Sequence, residues 1–317
     1  MNINYLLIVT SEPRSVFMEI FFKYIKSKKN KLSSKKIILI GNKKILQEEA
    51  KYNNYKSNFN EILNIENAIK NKINLIDIKI NIKNKKKNYI KEYISRSFKK
   101  SLSILRKNKD VGLLNGPINK KSFLNKKYLG VTEYLAKQTN SRNPVMLIYN
   151  KNLSVSPITT HLPIKYVSKN INRKIIVANI KRINEFYKNY IKKKPKIAVL
   201  GLNPHCETIE KKGEESKEII PAIKILKKKK LYITGPHSAD TFFIKKNIQK
   251  YDVVVGMYHD QVLTPLKTLF NFNAINITVG LPFIRISPDH GPNVGMYKKK
   301  KSDPSSIYCA MEFFNKI

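Results

Sequence analysis

"DVVVGMYHDQVLTPLK", residues Asp252–Lys267, joins a short apolar run to a histidine and an aspartate. The run "DVVVG" at Asp252–Gly256 has the length and composition of a strand that is buried on both faces of a parallel sheet. His259 and Asp260 follow shortly beyond it. In α/β sheets, ligands bind beyond the carboxyl ends of the strands, so this stretch predicts a buried strand that leads into a functional site.

Similar apolar runs recur along the chain and alternate with amphipathic ones. The runs that resemble strands are Tyr5–Thr10, Lys36–Ile40, Ile73–Ile78, Val111–Asn115, Pro144–Tyr149, Leu153–Ile158, Lys196–Leu200, Leu231–Thr234, Asp252–Gly256 and Ala274–Val279. The runs with helical periodicity are Ser15–Ser27, Ile90–Asn108, Val131–Thr139, Asn172–Ile191, Glu215–Leu226, Ala239–Lys250 and Ser305–Asn315. This alternation predicts an α/β fold with a mostly parallel sheet. A chain of 317 residues can hold two such domains, which we expect at residues 1–129 with 292–317 and at residues 130–291.

The formal net charge is +40, from 62 basic and 22 acidic residues. Of the basic residues, 55 are lysine and seven are arginine, and Asn and Ile are also abundant, which is what an AT-rich coding sequence produces. The lysines are scattered, with runs such as residues 79–88 predicted as exposed loops, and no nucleic-acid-binding motif accompanies them. The charge therefore favours a solvated lysine-rich surface over a nucleic-acid-binding face, although such a surface attracts small anions such as phosphorylated acids.

The two cysteines, Cys206 and Cys309, have neither the number nor the spacing of a disulfide framework or a zinc site, which suits a reducing cytosol. The first residues, "MNINYLLIVT", have a short apolar stretch without a basic start, so we expect a first strand and not a secretory signal. No stretch approaches the roughly 20 apolar residues of a membrane span. These features predict a cytoplasmic protein that has no membrane partner.

The five histidines all lie beyond residue 160, in segments that follow predicted strands and are rich in Pro, Gly, Asp or Asn. They are His161, His205, His237, His259 and His290. A single loop histidine is more often a hydrogen-bonded structural residue than a metal ligand. However, His161, His205 and His259 follow three different strands, as a shared site at one edge of a sheet requires. Three histidines can bind a divalent ion and leave positions open for substrate, so these three are the predicted metal ligands.

Two aspartates lie close to histidines in the sequence. Asp240 follows His237, and Asp260 is adjacent to His259. Either carboxylate could orient a histidine that binds metal, or could transfer a proton. Asp240 also stands at the head of the helical run "DTFFIKK", where the alternative interpretation is a helix N-cap.

Three further polar residues are candidates for binding an anionic substrate. Arg285, one of the seven arginines, follows an apolar run, and its guanidinium group suits a carboxylate or a phosphate. Lys267 lies beyond His259 in the sequence "TPLK", which we interpret as a tight turn. Asn276 stands inside an apolar strand, where a polar side chain needs a partner or a ligand.

Several longer motifs resemble those of the 4-hydroxythreonine-4-phosphate dehydrogenase family of vitamin B6 biosynthesis. The motifs occur in the family's order over residues 110–317 and are "GPINK", "GVTEYLA", "TTHLP", "GLNPHCE", "GEES", "IIPAI", "ADTFF", "MYHDQ", "TPLK", "NITVGLPFIRISPDHG" and "DPSS". The stretches Tyr258–Lys267 and Asn276–Gly291 are the most specific of these.

The resemblance implies a two-domain α/β fold like that of isocitrate and isopropylmalate dehydrogenases, in a homodimer with active sites at the subunit interface. It implies NAD-dependent oxidation of 4-phosphooxy-L-threonine, with NADP as the alternative cofactor, and loss of carbon dioxide to give 3-amino-2-oxopropyl phosphate. The divalent metal, which could be zinc, magnesium or cobalt, would be held by the same three histidines, His161, His205 and His259. The residues that bind the nicotinamide cofactor stay unassigned.

The same resemblance implies which residues bind and act on the substrate. The family's substrate contacts correspond to Thr132, Lys267, Asn276 and Arg285. The reaction also needs a proton donor after carbon dioxide leaves. Asp240, Asp260 or a lysine such as Lys267 could serve, and the sequence does not choose among them.

The chain departs from the family pattern in three places. The glycine-rich segment near the start is replaced by "SEPRSVFME", Ser11–Glu19; the histidine of the family's "GHTE" is Val131; and an aspartate near the cofactor corresponds to Gly295, before a lysine run. Valine can neither donate a hydrogen bond nor carry charge, so Val131 alters the substrate pocket. The alternatives to the expected enzyme are therefore a dehydrogenase for another phosphorylated hydroxy acid and a non-catalytic protein that binds metal or anions.

Overall fold

The structure is a computed structural model that describes residues 2–10, 12–27, 32–81, 88–119, 128, 130–206 and 213–317. The chain divides into two compact units. Unit 1 comprises Met1–Arg142 and Leu281–Ile317, and unit 2 comprises Asn143–Gly280. Within the described ranges, no helix is long and apolar enough to cross a membrane. Most of the predicted loop at residues 79–88 lies outside those ranges.

The described strands of unit 1 form a sheet in which all neighbours are parallel. They are β1 (Tyr5–Val9), β2 (Lys36–Gly41), β3 (Asn60–Glu61), β4 (Asn74–Asp77), β5 (Val111–Asn115) and β12 (Arg285–Pro288). Their order across the sheet is β3-β4-β2-β1-β5-β12. The central strands read as continuous apolar runs because both of their faces are covered.

Helices cover the sheet of unit 1 and close its core. They are α1 (Phe17–Ser27), α2 (Lys43–Tyr52), α3 (Asn88–Lys107), α4 (Val131–Gln138) and α11 (Ser305–Lys316). Phe98 of α3 and Leu135 of α4 pack in one buried cluster with Leu7 and Leu113 of the sheet. The α4 helix, which carries the predicted substrate residue Thr132, is thereby anchored to the core of unit 1.

Unit 2 holds a mixed sheet. Its described strands are β6 (Val145–Tyr149), β7 (Ser154–Thr159), β8 (Ile197–Leu200), β9 (Ile233–His237), β10 (Val253–Tyr258) and β11 (Ile275–Val279). The order is β11-β6-β7-β10-β8-β9, in which β6 is antiparallel to both of its neighbours and the last four strands are parallel. The carboxyl ends of β7, β10 and β8 therefore lie side by side, and we call this border the carboxyl edge of unit 2.

Helices of varied length complete unit 2. They are α5 (Val167–Asn170), α6 (Arg173–Phe186), α7 (Ile220–Lys228), α8 (Ala239–Phe242), α9 (Lys245–Ile248) and α10 (His259–Phe270). A π-helical turn extends α6, and another, Glu215–Ile219, precedes α7. In the core, Val262 and Leu266 of α10 pack with Val155, Ala198 and Val254 of the strands.

Three helices, α2, α10 and the short α5, were not among the predicted elements. The "TPLK" segment is not a tight turn, because it lies inside α10 with Pro265 in the helix interior. The α2 helix was also missed, although Asn42 caps it by accepting a hydrogen bond from the Ile45 amide at 3.2 Å. As a result, His259 is the first residue of a helix and not a loop residue, and His237 ends a strand.

The compact units also end at different places from the predicted domains. Residues 130–142 and 281–291 were placed in the second domain, whereas the structure places them in unit 1. The reason is packing. Tyr134 and Leu135 of α4 and Phe283 belong to the core of unit 1, and β12 pairs with β5 through Arg285 opposite Leu113.

A substitution at Gly112 in β5 tests the packing between the sheet of unit 1 and its last helix, α11. A Cβ atom at this position would lie 2.4 Å from Cε1 of Phe314, a buried side chain of α11. We expect Gly112→Ala to lower the free energy of unfolding by about 1–3 kcal/mol, because the core must shift to admit the methyl group. Urea unfolding measures this. Gly295→Ala is the matched control, since a Cβ there meets nothing within 4 Å; equal losses in both variants would contradict the packing described here.

Candidate functional site

The carboxyl edge of unit 2 brings the predicted metal ligands to neighbouring strand ends. His161 follows β7, His259 follows β10 directly, and His205 follows β8 after a short segment. In the sheet, β10 lies between β7 and β8, and Tyr258 is opposite Thr159. Three adjacent parallel strands thus each deliver one histidine to the same side, as the sequence predicted.

His161 and His259 form the nearest pair. Their ring centroids are 6.1 Å apart with an interplanar angle of 34°. His259 Nδ1 lies 2.6 Å from Oδ1 of Asp260, whose side chain is 79% exposed. A histidine whose Nδ1 is held by a carboxylate presents its Nε2 to a metal, so Asp260 is placed to orient His259.

His205 is held in an unusual backbone conformation. Its φ is 55° and that of Cys206 is 58°, both in the left-handed region that non-glycine residues seldom adopt. Such conformations concentrate at functional sites, where surrounding contacts maintain them. The side chain of His205 is exposed, and its charge interacts with that of Asp240.

Asp240 occupies the second position of α8 and is not its N-cap, because Ser238 precedes the helix at the cap position. The nearby Ser238 hydroxyl is the main cause that lowers the pKa of the Asp240 carboxyl, and the charge of His205 contributes. Asp240 is therefore ionised at neutral pH and acts electrostatically on a predicted metal ligand. It sits in unit 2 with the histidines, which is compatible with the predicted orienting or proton-transfer role.

Two hydrogen-bonding side chains tie the three strand ends together, and the sequence did not predict either role. Thr159 Oγ1 donates to the Met257 carbonyl at 2.7 Å and joins β7 to β10. Gln261 accepts from the Met257 amide and donates to the Gly201 carbonyl, both at 2.7 Å. Gln261 thus joins β10 to the segment beyond β8. In the sequence, only the position of Gln261 directly after His259 and Asp260 could have indicated a role. That Gln261 joins two strand ends follows only from the fold.

Glu215 fixes the segment that leads to His205. The carboxylate is 4% exposed, and its Oε1 accepts hydrogen bonds from the amides of Leu202 and Asn203, each at 2.8 Å. Its Oε2 accepts from the Asn203 side chain at 2.9 Å. A buried carboxylate that receives three donors holds the backbone of this segment rigidly, which maintains the left-handed turn at His205. This residue was also missed, because nothing in "GEES" marks it as buried.

The side chains at the carboxyl edge of unit 2 include the types of donor atom that bind a divalent metal, and they follow neighbouring strands. Imidazole nitrogens from three adjacent strand ends, with an aspartate behind one of them, are the ligand types of zinc and cobalt sites. Across the described ranges, no three His, Cys, Asp or Glu side chains are already gathered closely enough to bind one ion. The rings of His161 and His259 are 6.1 Å apart and His205 follows the neighbouring strand, so metal binding requires side-chain movement that brings the three donors together.

Two predicted substrate residues lie elsewhere in unit 2. Lys267 lies in α10, with Nζ 5.5 Å from the centroid of the Phe272 ring. Asn276 lies in β11, and its Oδ1 is buried without a hydrogen-bond partner in the described structure. A buried amide oxygen that lacks a donor is uncommon, so Asn276 is available to a ligand.

The other two predicted substrate residues, Thr132 and Arg285, belong to unit 1. Arg285 is not at the end of a strand but begins β12, and it is 3% exposed. Its Nε donates a 2.7 Å hydrogen bond to Oδ1 of Asn115. Burial lowers the pKa of the guanidinium to about 10, and the charge of Glu133 acts in the opposite direction. Arg285 is therefore a buried cation that stays charged at neutral pH.

Val131 and the remaining histidines contact neighbouring groups in their own units. Val131 is partly buried against the core of unit 1. His237 Nε2 lies 2.7 Å from Thr234 Oγ1, and its ring packs against Phe242. His290 Nδ1 lies 2.9 Å from the Gly291 carbonyl.

Comparison with known families gives one match over most of the chain. The model of the family described as pyridoxal phosphate biosynthetic protein PdxA matches residues 33–314. A 4-hydroxythreonine-4-phosphate dehydrogenase from Sulfurihydrogenibium sp. (strain YO3AOP1) is 42% identical over 213 residues, which are 66% of this chain and 65% of that protein. The chain thus matches just under two thirds of that relative's length. A D-threonate 4-phosphate dehydrogenase from Pectobacterium atrosepticum is 34% identical over 220 residues, 68% of each chain.

Solved structures extend the similarity to the whole chain. The 4-hydroxythreonine-4-phosphate dehydrogenase from Klebsiella pneumoniae superposes with a TM-score of 0.83 at 27% identity, over 98% of each chain. An isocitrate dehydrogenase from Methylococcus capsulatus superposes with a TM-score of 0.50 at 10% identity, over 98% of this chain and 84% of that one. The second similarity concerns the fold alone. The predicted α/β fold, like that of isocitrate dehydrogenases and with a mostly parallel sheet, is confirmed.

Proposed function

The chain belongs to the PdxA family of pyridoxal phosphate biosynthesis, and on that basis we propose that it is an NAD-dependent 4-hydroxythreonine-4-phosphate dehydrogenase. The reaction is the metal-dependent oxidation and decarboxylation of 4-phosphooxy-L-threonine to 3-amino-2-oxopropyl phosphate. The observation that carries this proposal is the placement of His161, His205 and His259 on three adjacent strand ends of unit 2.

The three histidines would hold the divalent cation. A bound cation lowers the pKa of a substrate hydroxyl and stabilises negative charge next to a carbonyl, while bound NAD accepts hydride. Asp260 orients the His259 ring through Nδ1, and Glu215 and Gln261 hold the backbone of the edge. These contacts hold the backbone that carries the ligands before substrate arrives, which lowers the cost of assembling the site.

The charged groups of the substrate need cationic and polar partners. Lys267 and Asn276 in unit 2, and Thr132 and Arg285 in unit 1, are the residues proposed to bind them, chiefly the phosphate. Asn276 has a buried oxygen that lacks a donor, and an ammonium or hydroxyl group of the substrate could supply one. Asp240, Asp260 and Lys267 stay the candidates for the proton donor, and the ionised state of Asp240 suits a base better than an acid.

A second candidate function is the oxidation of another phosphorylated hydroxy acid. Val131 stands where the family has a histidine, and a relative at 34% identity is named D-threonate 4-phosphate dehydrogenase. Valine removes one polar contact from the substrate pocket, which changes the group that the pocket can recognise. A homodimer in the cytoplasm, with zinc, magnesium or cobalt as the metal and NADP as the alternative cofactor, completes the proposal; the resemblance to the family supports these parts.

The test is a turnover assay on the full chain. Metal-stripped protein is supplied with zinc, magnesium or cobalt, with NAD or NADP, and with 4-phosphooxy-L-threonine or D-threonate 4-phosphate, and reduced cofactor is followed by absorbance. We expect turnover of 4-phosphooxy-L-threonine that requires both metal and NAD. A preference for D-threonate 4-phosphate would replace the first candidate with the second. Folded, metal-loaded protein that turns over neither substrate would overturn both and leave a metal- or anion-binding protein.

A further inference from the structure

Arg285 is an unusual residue for its position in unit 1. It starts β12 in the sheet and is 3% exposed, and among the described lysines and arginines no other side chain is buried. A buried guanidinium is stable only when hydrogen bonds and opposite charge compensate for lost water. The groups around Arg285 therefore determine how much of its positive charge is left for a ligand.

Asn115 is one of these groups. It ends β5, next to β12, and is 1% exposed. Its Oδ1 accepts from Arg285 Nε at 2.7 Å, while its Nδ2 donates to the Gly116 carbonyl at 2.8 Å. The second bond fixes the amide orientation, so that the oxygen faces the guanidinium. Because the amide is neutral, it holds the plane of the guanidinium without neutralising its charge.

Glu133 supplies opposite charge in the first turn of α4. Its charge acts on Arg285, and its Oε2 is buried without a hydrogen-bond partner among the described atoms. The nearest hydrogen-bonding partner of Nε is thus uncharged, and the carboxylate contributes through its charge. A carboxylate in place of Asn115 would form a direct ion pair and cancel much of the charge on Arg285.

We propose that Asn115 and Glu133 are positioning residues that set the affinity of Arg285 for an anionic group of the ligand. Asn115 orients the cation and leaves it charged, and Glu133 limits its charge so that the protein stays folded without ligand. The proposal rests on the proposed function only for the identity of the ligand, a phosphorylated acid. It predicts that isosteric changes of charge at the two positions have opposite effects on anion binding.

The experiment measures binding of inorganic phosphate and pyrophosphate to the metal-stripped full chain by calorimetry, which needs neither turnover nor cofactor. We expect Asn115→Asp to weaken binding by at least about tenfold, since it places a negative charge in contact with Arg285. We expect Glu133→Gln to tighten binding by about three- to tenfold, since it removes opposing charge. Asn150→Asp and Glu185→Gln make the same chemical changes at a buried amide and at an exposed carboxylate of unit 2, and we expect neither to change binding.

A double-mutant cycle separates this role from a structural one. In an Arg285→Met background, Asn115→Asp is expected to have no further effect on binding, because it acts through Arg285. In the active enzyme, the same two variants should change KM in opposite directions while kcat changes less. If Asn115→Asp fails to fold, the phosphate affinity of Glu133→Gln tests the proposal. Unchanged affinity in the folded variants, equal shifts in the controls, or no phosphate binding by the parent would overturn the proposal. Absent turnover with the expected binding shifts would count only against the proposed function.

Discussion

Replacing His259 by alanine is expected to lower metal-dependent turnover by at least about 10³-fold, because a catalytic cation contributes several kcal/mol to the transition state. His259 starts α10 at the end of β10, beside His161 and in contact with Asp260. Losing it removes one of three imidazole donors and leaves Asp260 with no histidine to orient. The measurements are the metal affinity of the stripped protein and turnover at saturating metal.

His237→Ala is the matched control for this prediction. His237 is also at the end of a strand in unit 2, but its partners are Thr234 and Phe242. We expect this variant to keep the metal affinity and the metal dependence of the parent. A His259→Ala variant that binds metal and turns over like the parent would show that the cation is held elsewhere, and an equal loss in both variants would point to general disruption of the unit.

Glu215→Ala is expected to lower the free energy of unfolding by about 3 kcal/mol, because it leaves buried donors without a charged acceptor. The amides of Leu202 and Asn203 both donate to this carboxylate, and the segment they belong to leads to His205. Metal affinity should also fall by about 10–100-fold, as for other residues that orient metal ligands. Urea unfolding and metal titration measure the two effects.

The control for Glu215 is Glu185→Ala, which removes an exposed carboxylate of α6 in the same unit. It should change the free energy of unfolding by no more than about 0.5 kcal/mol. If Glu215→Ala were stable but bound metal poorly, the carboxylate would act on the site alone. If it unfolded easily and still bound metal as the parent does, the hydrogen bonds to Leu202 and Asn203 would not determine the position of His205.

The sequence predicted the central strands because buried parallel strands consist of apolar runs, as in "VGLLN" of β5 and "IAVL" of β8. The prediction was wrong at α10, because Pro265 and the polar residues "HDQ" do not follow the pattern of an amphipathic helix. Proline in a helix interior removes a backbone hydrogen bond, and local pattern therefore indicated a turn. Packing of Val262, Leu263 and Leu266 into the core of unit 2 keeps the helix intact. This contribution is tertiary and cannot be found in a window of residues.

For the site, the sequence predicted which histidines share an edge, because strand ends in a parallel sheet fall on one side. It could not predict Glu215 or Gln261, whose roles depend on backbone amides and carbonyls that meet only in the folded chain. Arg285 shows the same limit from the other direction. Because arginine is scarce in this chain, the sequence indicated a functional role for Arg285. The burial of Arg285 and its hydrogen bond to Asn115 follow from the pairing of β12 with β5.

Unit 1 is discontinuous, and this has a consequence for synthesis of the chain on the ribosome. Its first segment ends at Arg142, yet β12 and α11 come after the whole of unit 2. Until those residues emerge, β5 has an unpaired edge and Gly112 lacks the Phe314 ring that covers it. Unit 2, which is one continuous segment, can fold while translation continues. Unit 1 must wait as a nascent chain with exposed apolar surface, the stage at which chaperones bind.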